Sequence, residues 1–571
     1  MICIVAERVY QVNRADLTGV KAGADAIGHS DGDIGPGMLV SAHQGRGLHM
    51  FCYQCEQTAR GTGCTEVGVC GKSADAAGLQ DLLLDVAKSL ALGLAAVPAV
   101  QRPAGSGEML EAALFATVTN VNFDTARLES MIRSVADTAG RDLPATSTEL
   151  NTLAELVGIA ARRRVDGDDV TGLQELLTYG LKGMAAYAHH ARRLGQISAL
   201  VDDFTVEALA ALARGETDIG RLLDLTLRCG EASVAVLALL DAANTGTFGP
   251  QTPGAVRMGH VPGKAILVSG HDLGDLKALL EQTEGTGINI YTHGEMLPAH
   301  AYPELRRHAH LAGHFGGAWM WQRREFDTFP GAILMTTNCI QRPADSYADR
   351  LFTCGPVAWP GIAHVSGQDF SAVIAAALEA PGFTDSASTG EHQVGFGHHA
   401  VLGLADTVVG AIKSGAVKHF AVIGGCDGTD TGRSYYTDLA AGLPQDWIIM
   451  TLGCGKFRLL GHDYGQIGPL PRLLDMGQCN DAFSAIKVAQ ALAEVFGCGL
   501  NDLPLSLVLS WYEQKAVCVL LALLHLGVRN IRIGPSLPAF VTPAVLQVLV
   551  DKFNVMPVGG VADDLKALTA A

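Results

Sequence analysis

The chain has 571 residues, and at about 150 residues per domain this length suggests three to four domains. Hydrophobic residues make up 48% and charged residues only 17%, so large aliphatic cores are affordable and the composition is not that of a disordered protein. A net charge of −17, with no local basic patch, excludes nucleic acid as a partner.

Residues 1–49 are Gly- and Asp-rich (Gly28-His29-Ser30-Asp31-Gly32-Asp33) and lack sustained apolar periodicity. They read as a disordered leader or an upstream start chosen in error, with Met50 two residues before the first clustered cysteine. Met1 to Arg8 has no basic stretch followed by an apolar one, so it is not a secretory signal. The longest apolar run, Ala516 to Leu526, is about half the ~20 residues a membrane-spanning helix needs. The expectation is a soluble protein of a reducing cytoplasm with no membrane partner, where clustered cysteines bind metal more often than they form disulfides.

Cys52, Cys55, Cys64 and Cys70 follow a C-x2-C-x8-C-x5-C spacing. Four thiolates so close in sequence can wrap one soft metal centre, zinc or iron–sulfur. Glycines at 61, 63, 68 and 71 suit a tight loop whose amides point at sulfur. A zinc knuckle usually pairs two C-x2-C hooks, and only one is present, so a [4Fe-4S] cluster is favoured.

From Ser73 to about Ala243 the chain reads as all-helical. Ser73 can cap a helix whose Leu79, Leu82, Leu83, Val86 and Leu90 keep helical spacing. Asp124–Asp137, Glu149–Arg164, Leu173–Leu194 and Ile219–Ala243 continue the pattern as one or two antiparallel bundles. After the Gly/Pro-rich stretch Thr245–Gly263, short β-branched runs alternate with helical segments, as in α/β domains with parallel sheets. These runs are Ala265–Ser269, Ile288–Thr292, Ala332–Thr336, Phe420–Ile423, Trp447–Leu452, Leu505–Ser510, Asn530–Ile533 and Val555–Val558. The fold class is thus α+β and multidomain: a helical domain over 50–260 carrying the cysteine loop, then two Rossmann-like α/β domains over 261–395 and 396–571.

His271, Glu295, Cys339, Cys426, Cys454 and Glu513 each sit just beyond the carboxyl end of one of these runs. Open α/β sheets place their functional groups there. Cys479 follows no predicted strand but has the same Gly-rich context. Each alone is weak, because a cysteine after a strand is commonly a small buried hydrophobe. Their recurrence at one edge points to a shared site, and thiolates mixed with carboxylates and an imidazole suit iron with both sulfide and oxygen ligation.

The motifs around these residues are Val268-Ser269-Gly270-His271-Asp272-Leu273, His293-Gly294-Glu295-Met296, Thr337-Asn338-Cys339, Gly424-Gly425-Cys426-Asp427-Gly428, Gly453-Cys454-Gly455-Lys456, Gly477-Gln478-Cys479-Asn480-Asp481 and Trp511-Tyr512-Glu513-Gln514-Lys515. In this order they resemble the hybrid cluster proteins, also called prismane proteins or hydroxylamine reductases, from Met50 to the C-terminus. The resemblance implies a hybrid [4Fe-2O-2S] cluster held by His271, Glu295, Cys339, Cys426, Cys454, Cys479 and Glu513, with Lys515 beside it. It also implies that Cys426 is the ligand the family can carry as a persulfide, and that the N-terminal spacing is the [4Fe-4S] kind. The family fold, helical domain first and two Rossmann-like domains after, agrees with the reading from the residues.

The implied activity is reduction of hydroxylamine to ammonia and water, with Glu513, Lys515 and His293 as candidate proton donors. Nitric oxide reduction at the same metal, or a nitric oxide-responsive regulatory protein passing nitrosyl groups to partner thiols, are the alternatives. A carbon monoxide dehydrogenase-like activity would rest on fold analogy alone. Gly395-Phe396-Gly397-His398-His399-Ala400 matches a dinucleotide fingerprint, but no strong strand is predicted before it and no acidic residue follows at the required distance. With no convincing flavin or nicotinamide site, an external reductase or ferredoxin is implied as electron donor. His308, His310 and His314 read as surface or packing residues, and Cys3, Cys229, Cys354, Cys498 and Cys518 as structural or incidental.

Overall fold

Ser73 closes the cysteine loop and opens the first long helix, its hydroxyl accepting from the Ala76 amide at 3.1 Å. That helix, Ala74–Ala95, buries all five of its predicted apolar positions. The computed structural model describes residues 50–570; the leader over 1–49, with Cys3, lies outside them. Six further helices follow: Ser106–Ala116, Thr125–Thr138, Ser147–Val157, Ile159–Arg193, Ala199–Ala213 and Ile219–Phe248. Asp124 caps Thr125–Thr138 through the amides of Ala126 and Arg127, and Thr146 with Glu149 forms a capping box on Ser147–Val157. The periodicity over Glu149–Arg164 covers two helices, broken at Gly158, whose extended backbone ends one and starts the next.

Strands then begin at β1 (Gly254–His260) and continue with β2 (Lys264–Ser269), β3 (Ile288–His293), β4 (Leu311–His314), β5 (Ala332–Met335), β6 (Leu351–Cys354), β7 (Ala363–Val365) and β8 (Ala387–Val394). They form one sheet in the order β7-β6-β5-β2-β3-β4-β1-β8, parallel throughout except for the antiparallel pair β1–β8. Both faces are covered: Ile266 and Val268 pack in one apolar cluster, Ala265 and Leu267 in another. A sheet buried on both faces reads as a continuous apolar run, which is how β2 appears in the sequence.

The second sheet contains β9 (His419–Gly425) and β10 (Trp447–Thr451). After the small hairpin β11 (Gln466–Ile467) and β12 (Leu470–Pro471), it is completed by β13 (Leu473–Asp475), β14 (Leu505–Ser510), β15 (Ile531–Gly534) and β16 (Met556–Pro557). Its order is β13-β10-β9-β14-β15-β16, all parallel. All eight strands read from the sequence are present. Cys479, expected to follow no strand, does follow one: β13 is only three residues long and too short to show a period.

The Gly395 motif is also preceded by a strand, β8. That strand is antiparallel, mostly exposed, and leads into the six-residue helix His398–Gly403. It is an edge, not the parallel start of a dinucleotide unit.

Phe420, Val422 and Met450 of the second sheet share one continuous core with the helical residues Leu82, Tyr179 and Leu237. The helix Gln514–His525 sits between them. Its first carbonyl lies so close to Gly183 that a Cβ there would approach the Gln514 oxygen to 2.3 Å. Glycine at 183 therefore lets this helix, and Glu513 at its N-cap, settle against the helical region. Among the described residues, no helix is long and apolar enough to cross a membrane.

Candidate metal centres

All seven proposed ligands line one cavity of about 340 Å3: His271, Glu295, Cys339, Cys426, Cys454, Cys479 and Glu513. They come from the loops after β2, β3, β5, β9, β10, β13 and β14, so both sheets aim carboxyl ends at the same space. Among the described residues, His271, Glu295 and Cys479 offer a group of donor atoms within 4.8 Å of one another. His271 Nε2 lies 3.9 Å from Glu295 Oε2.

Each ligand is held by its own neighbours. The Thr337 hydroxyl accepts from the His271 amide at 2.8 Å and contacts His271 Nδ1 at 2.9 Å, which leaves Nε2 facing Glu295. Glu295 Oε2 accepts from the Cys479 amide at 2.8 Å, while Oε1 is buried without a partner. Gln478 Nε2 donates to the Glu295 carbonyl at 2.6 Å. Cys339 adopts φ +85°, rare for a residue with a Cβ, and its carbonyl accepts from Gln322 Nε2 at 2.6 Å. The Cys426 amide donates to the Ser510 carbonyl at 2.8 Å, an approach that Gly425 permits, since a Cβ there would meet the same oxygen at 2.2 Å. Glu513 caps its helix by accepting from the Lys515 amide at 2.8 Å.

Electrostatics make this donor set costly without a cation at its centre. Burial raises the carboxyls of Glu295 and Glu513 above the ordinary range. Burial, then the Glu513 charge, pushes the Cys426 thiol up to about 12, and burial raises Cys479 as well. Burial and the nearby Lys515 keep His271 neutral, as a metal ligand must be. Burial opposes the Lys515 charge too, but Cys479 and Glu513 more than offset it, so this ammonium stays charged and donates to Asn338 Oδ1 at 3.3 Å. Four thiols and two carboxyls around one Lys ionise together only where a further cation compensates them, and the neutral imidazole adds a nitrogen ligand.

The structure does not bring His293 into this cavity. Its ring nitrogens are engaged by Ser269 Oγ and Glu325 Oε2, each at 2.9 Å, and it is fully buried. Sequence reasoning also missed cavity-lining residues: Thr119 and Asn120 from the helical region, Trp319, Asn338 and Tyr512. Asn338 and Tyr512 adjoin ligands and could have been singled out for that; Thr119 and Asn120 carry no local signal at all.

The second centre is the N-terminal loop. Cys52 and Cys64 face each other across an isolated antiparallel bridge, with reciprocal amide–carbonyl bonds of 3.1 and 2.8 Å. The Ala59 amide donates to Cys64 Sγ at 3.4 Å, and the Lys72 amide to the Cys70 sulfur. Burial raises the Cys55 thiol, and the nearby sulfurs of Cys70, Cys52 and Cys64 raise it further. The buried Lys72 ammonium stays charged against its own burial because Cys52, Cys70 and Cys55 surround it.

Two contacts fasten this loop to the ligand segment after β14, and a third joins it to Arg433, which itself donates to the Trp511 carbonyl. The Glu56 amide donates to the Tyr512 carbonyl (3.0 Å), Gln514 Nε2 to the Gln54 carbonyl (2.7 Å), and Arg433 Nη2 to Glu56 Oε2 (2.6 Å).

Residues 50–566 match the Prismane/CO dehydrogenase family. The chain belongs to that family. A protein of Rhodospirillum rubrum named hydroxylamine reductase is 57% identical over 555 residues, covering 91% of this chain and 100% of the relative. One of Zymomonas mobilis with the same name is 55% identical over 544 residues, 91% of this chain and 99% of the relative. Among solved structures, a carbon monoxide dehydrogenase from Thermococcus sp. AM4 aligns with a TM-score of 0.54 at 16% identity, covering 91% of this chain and 90% of that one. Carbon Monoxide Dehydrogenase IV from Carboxydothermus hydrogenoformans gives 0.53 at 17%, covering 91% and 92%. At that identity the likeness is one of fold. For this prismane-family chain it shows that the two parallel-dominated sheets and the helical region share the fold of those proteins.

Proposed function

We propose that this protein reduces hydroxylamine to ammonia and water at a hybrid [4Fe-2O-2S] cluster held by His271, Glu295, Cys339, Cys426, Cys454, Cys479 and Glu513. Electrons would be relayed by a [4Fe-4S] cluster on Cys52, Cys55, Cys64 and Cys70. The observation that carries this reading is the convergence of seven donors, from seven strand ends, on one cavity. The family's hydroxylamine reductases, at 57% and 55% identity, support the substrate.

Donor chemistry favours iron over zinc at both places. The large site mixes soft and hard ligands and exceeds zinc's usual four. A tetrahedral zinc at about 2.3 Å from each sulfur would draw the four loop sulfurs to about 3.8 Å from one another. Among the described residues, the tight donor group is instead His271, Glu295 and Cys479.

The reaction, NH2OH + 2e⁻ + 2H⁺ → NH3 + H2O, needs a metal that accepts N or O, together with electrons and protons. When bound, the hybrid cluster supplies reducing electrons and a Lewis-acidic iron on its oxygen-ligated side. The chain's part is to position and to protonate. Glu295 Oε1, buried and unpartnered, is free to ligate or to hold a proton. Lys515 and Glu513 are the proton donors we assign, because both lie at the site and both are fully buried. His293, engaged at both nitrogens, supports the Glu295 loop.

Val67 and Val69 stand 59% exposed in the loop leading to Cys70, where an external reductase or ferredoxin would reach the first cluster. We place the protein in the cytoplasm, whose reducing conditions keep the thiols available to iron.

Nitric oxide reduction is the second reading, and one observation favours it. A largely apolar cavity, walled by Val422, Leu452, Ile486 and Leu505, reaches Cys426 and Cys479. An apolar diatomic would partition into it.

An anaerobic assay of iron-quantified protein, with a viologen donor and hydroxylamine or nitric oxide in parallel, decides between the two. Faster turnover of hydroxylamine, lost in Glu513→Ala and Cys426→Ala while the first cluster's spectrum survives, is expected. Faster turnover of nitric oxide would reverse the assignment. Negligible turnover of both with full iron would favour the redox-regulatory protein.

A further inference from the structure

The segment between the helices Ser106–Ala116 and Thr125–Thr138 carries no cluster ligand, yet it reaches across from the helical region to line the ligand cavity with Thr119 and Asn120. Both residues are 2% exposed. Thr119 Oγ1 and Asn120 Oδ1 are buried there without a hydrogen-bond partner. Their backbones, by contrast, are tied down. The Thr119 amide donates to Gln514 Oε1 at 2.9 Å, next to Glu513, and the Asn120 carbonyl accepts from the Ile340 amide at 3.2 Å, next to Cys339. Asn120 sits at φ +59°, in the left-handed region.

Unpaired polar atoms on a buried wall weaken a fold, and they persist where a ligand, an ion or a water satisfies them. Backbone held in a sparsely populated region beside such atoms is a further mark of a functional surface. As oriented here, Asn120 turns an acceptor, not a donor, to the cavity wall. Sulfides, oxides and ligand carboxylates accept hydrogen bonds, and an amide oxygen needs a donor.

We infer that Thr119 and Asn120 bind and orient the substrate, a small N–O compound that carries its own N–H or O–H groups. Asn120 Oδ1 accepts from the substrate and the Thr119 hydroxyl bonds its other end, turning the N–O bond toward the metal side of the cavity. Nitric oxide has no hydrogen to offer Asn120. The pair therefore selects hydroxylamine over the diatomic, even though an apolar cavity reaches the same thiols. The inference rests on the hydroxylamine-reducing reading.

Three variants of the holoenzyme test it. Thr119→Val keeps the shape and removes the hydroxyl, Asn120→Gly removes the amide while tolerating the positive φ, and Thr119→Ser keeps the hydroxyl. Loss of one such hydrogen bond is expected to raise KM for hydroxylamine about tenfold in Thr119→Val and in Asn120→Gly. kcat for hydroxylamine should fall as well, because the pair orients the N–O bond, while nitric oxide turnover should be unchanged and Thr119→Ser should behave as wild type. Iron content and the EPR signals of both clusters should be unaltered, and calorimetric affinity for hydroxylamine without reductant should weaken in parallel with KM.

Unchanged KM and affinity in both variants, with an active wild type, would overturn this inference alone. So would altered cluster EPR, which would mean that the pair holds the cluster. A wild type with intact EPR that neither binds nor reduces hydroxylamine would overturn the hydroxylamine reading and this inference together.

Discussion

The two sulfur-bearing centres are built in opposite ways. The N-terminal loop gathers Cys52, Cys55, Cys64 and Cys70 from one short segment, using a two-residue bridge and local turns. The large site draws its ligands from His271 to Glu513, and they meet only when two parallel sheets and the helix behind Glu513 are all in place. A local centre can be legible from spacing and can form early. A dispersed one depends on the whole fold, and long-range contacts of this kind are costly in loop-closure entropy until they are made. The two are joined at a narrow seam, Glu56–Arg433 and Gln54–Gln514.

The largest expected effects break one centre and spare the other. Cys426→Ala should cut hydroxylamine turnover about a hundredfold or more, since even residues that merely support metal ligands cost up to that much. The EPR signal of the loop cluster should remain. Cys55→Ala should do the reverse: the loop signal disappears, the large site keeps its iron, and the rate with a protein donor falls more than the rate with a small viologen. Equal loss of both signals in either variant would show that the centres are not independent.

Next comes the seam. Arg433 and Glu56 are buried partners 2.6 Å apart, and Arg433 also donates to Ser510 Oγ and the Trp511 carbonyl. Arg433→Met strands a buried carboxylate and should cost about 3–5 kcal/mol in chemical denaturation, with much of it recovered in Arg433→Met/Glu56→Leu. No recovery would mean that the guanidinium's bonds to the β14 segment, not the ion pair, make the joint.

A smaller effect separates the sheets from the metal chemistry. Burial lowers His300 to about 4, below its ordinary value of 6.5, and its Nε2 lies 3.0 Å from Thr292 Oγ1. The unfolded chain takes up this proton first, so His300 contributes stability that is present above about pH 6.5 and is lost as pH falls toward 4. The half-buried Asp241, raised to about 7, works the other way: it favours the fold at low pH and loses that contribution as pH rises through 7. The difference between wild type and His300→Asn, from denaturation at pH 4 to 7, should therefore shrink with acid. A constant difference would contradict the assignment.

The sequence made the sheets more legible than their edges. Runs such as Ala265–Ser269 are apolar on both faces and announce themselves. β8 is largely exposed, β7 and β13 have three residues each, and β4 contains a glycine, so none shows a clean period. That is why Cys479 lacked its strand in the sequence reading. That the seven proposed ligands belong together was legible because their motifs are ordered and resemble a known family, and the structure brings the seven residues to one cavity. His293 was misplaced because adjacency to Glu295 says nothing of which way a ring turns; Ser269 and Glu325 decide that. Thr119 and Asn120 stayed hidden because their neighbours at the cavity, Cys339 and Glu513, are hundreds of residues away.

The smallest effect concerns a helix end remote from both centres. Thr146→Ala removes one half of an exposed capping box and should cost about 1 kcal/mol while leaving both cluster signals and turnover untouched.

The most direct measurement is anomalous diffraction at the iron and zinc edges from crystals of anaerobically purified protein. Two separate iron centres are predicted, one within bonding distance of Cys52, Cys55, Cys64 and Cys70, the other of His271, Glu295, Cys339, Cys426, Cys454, Cys479 and Glu513. A zinc peak in the N-terminal loop, or iron bonded to only part of the second set, would contradict the account.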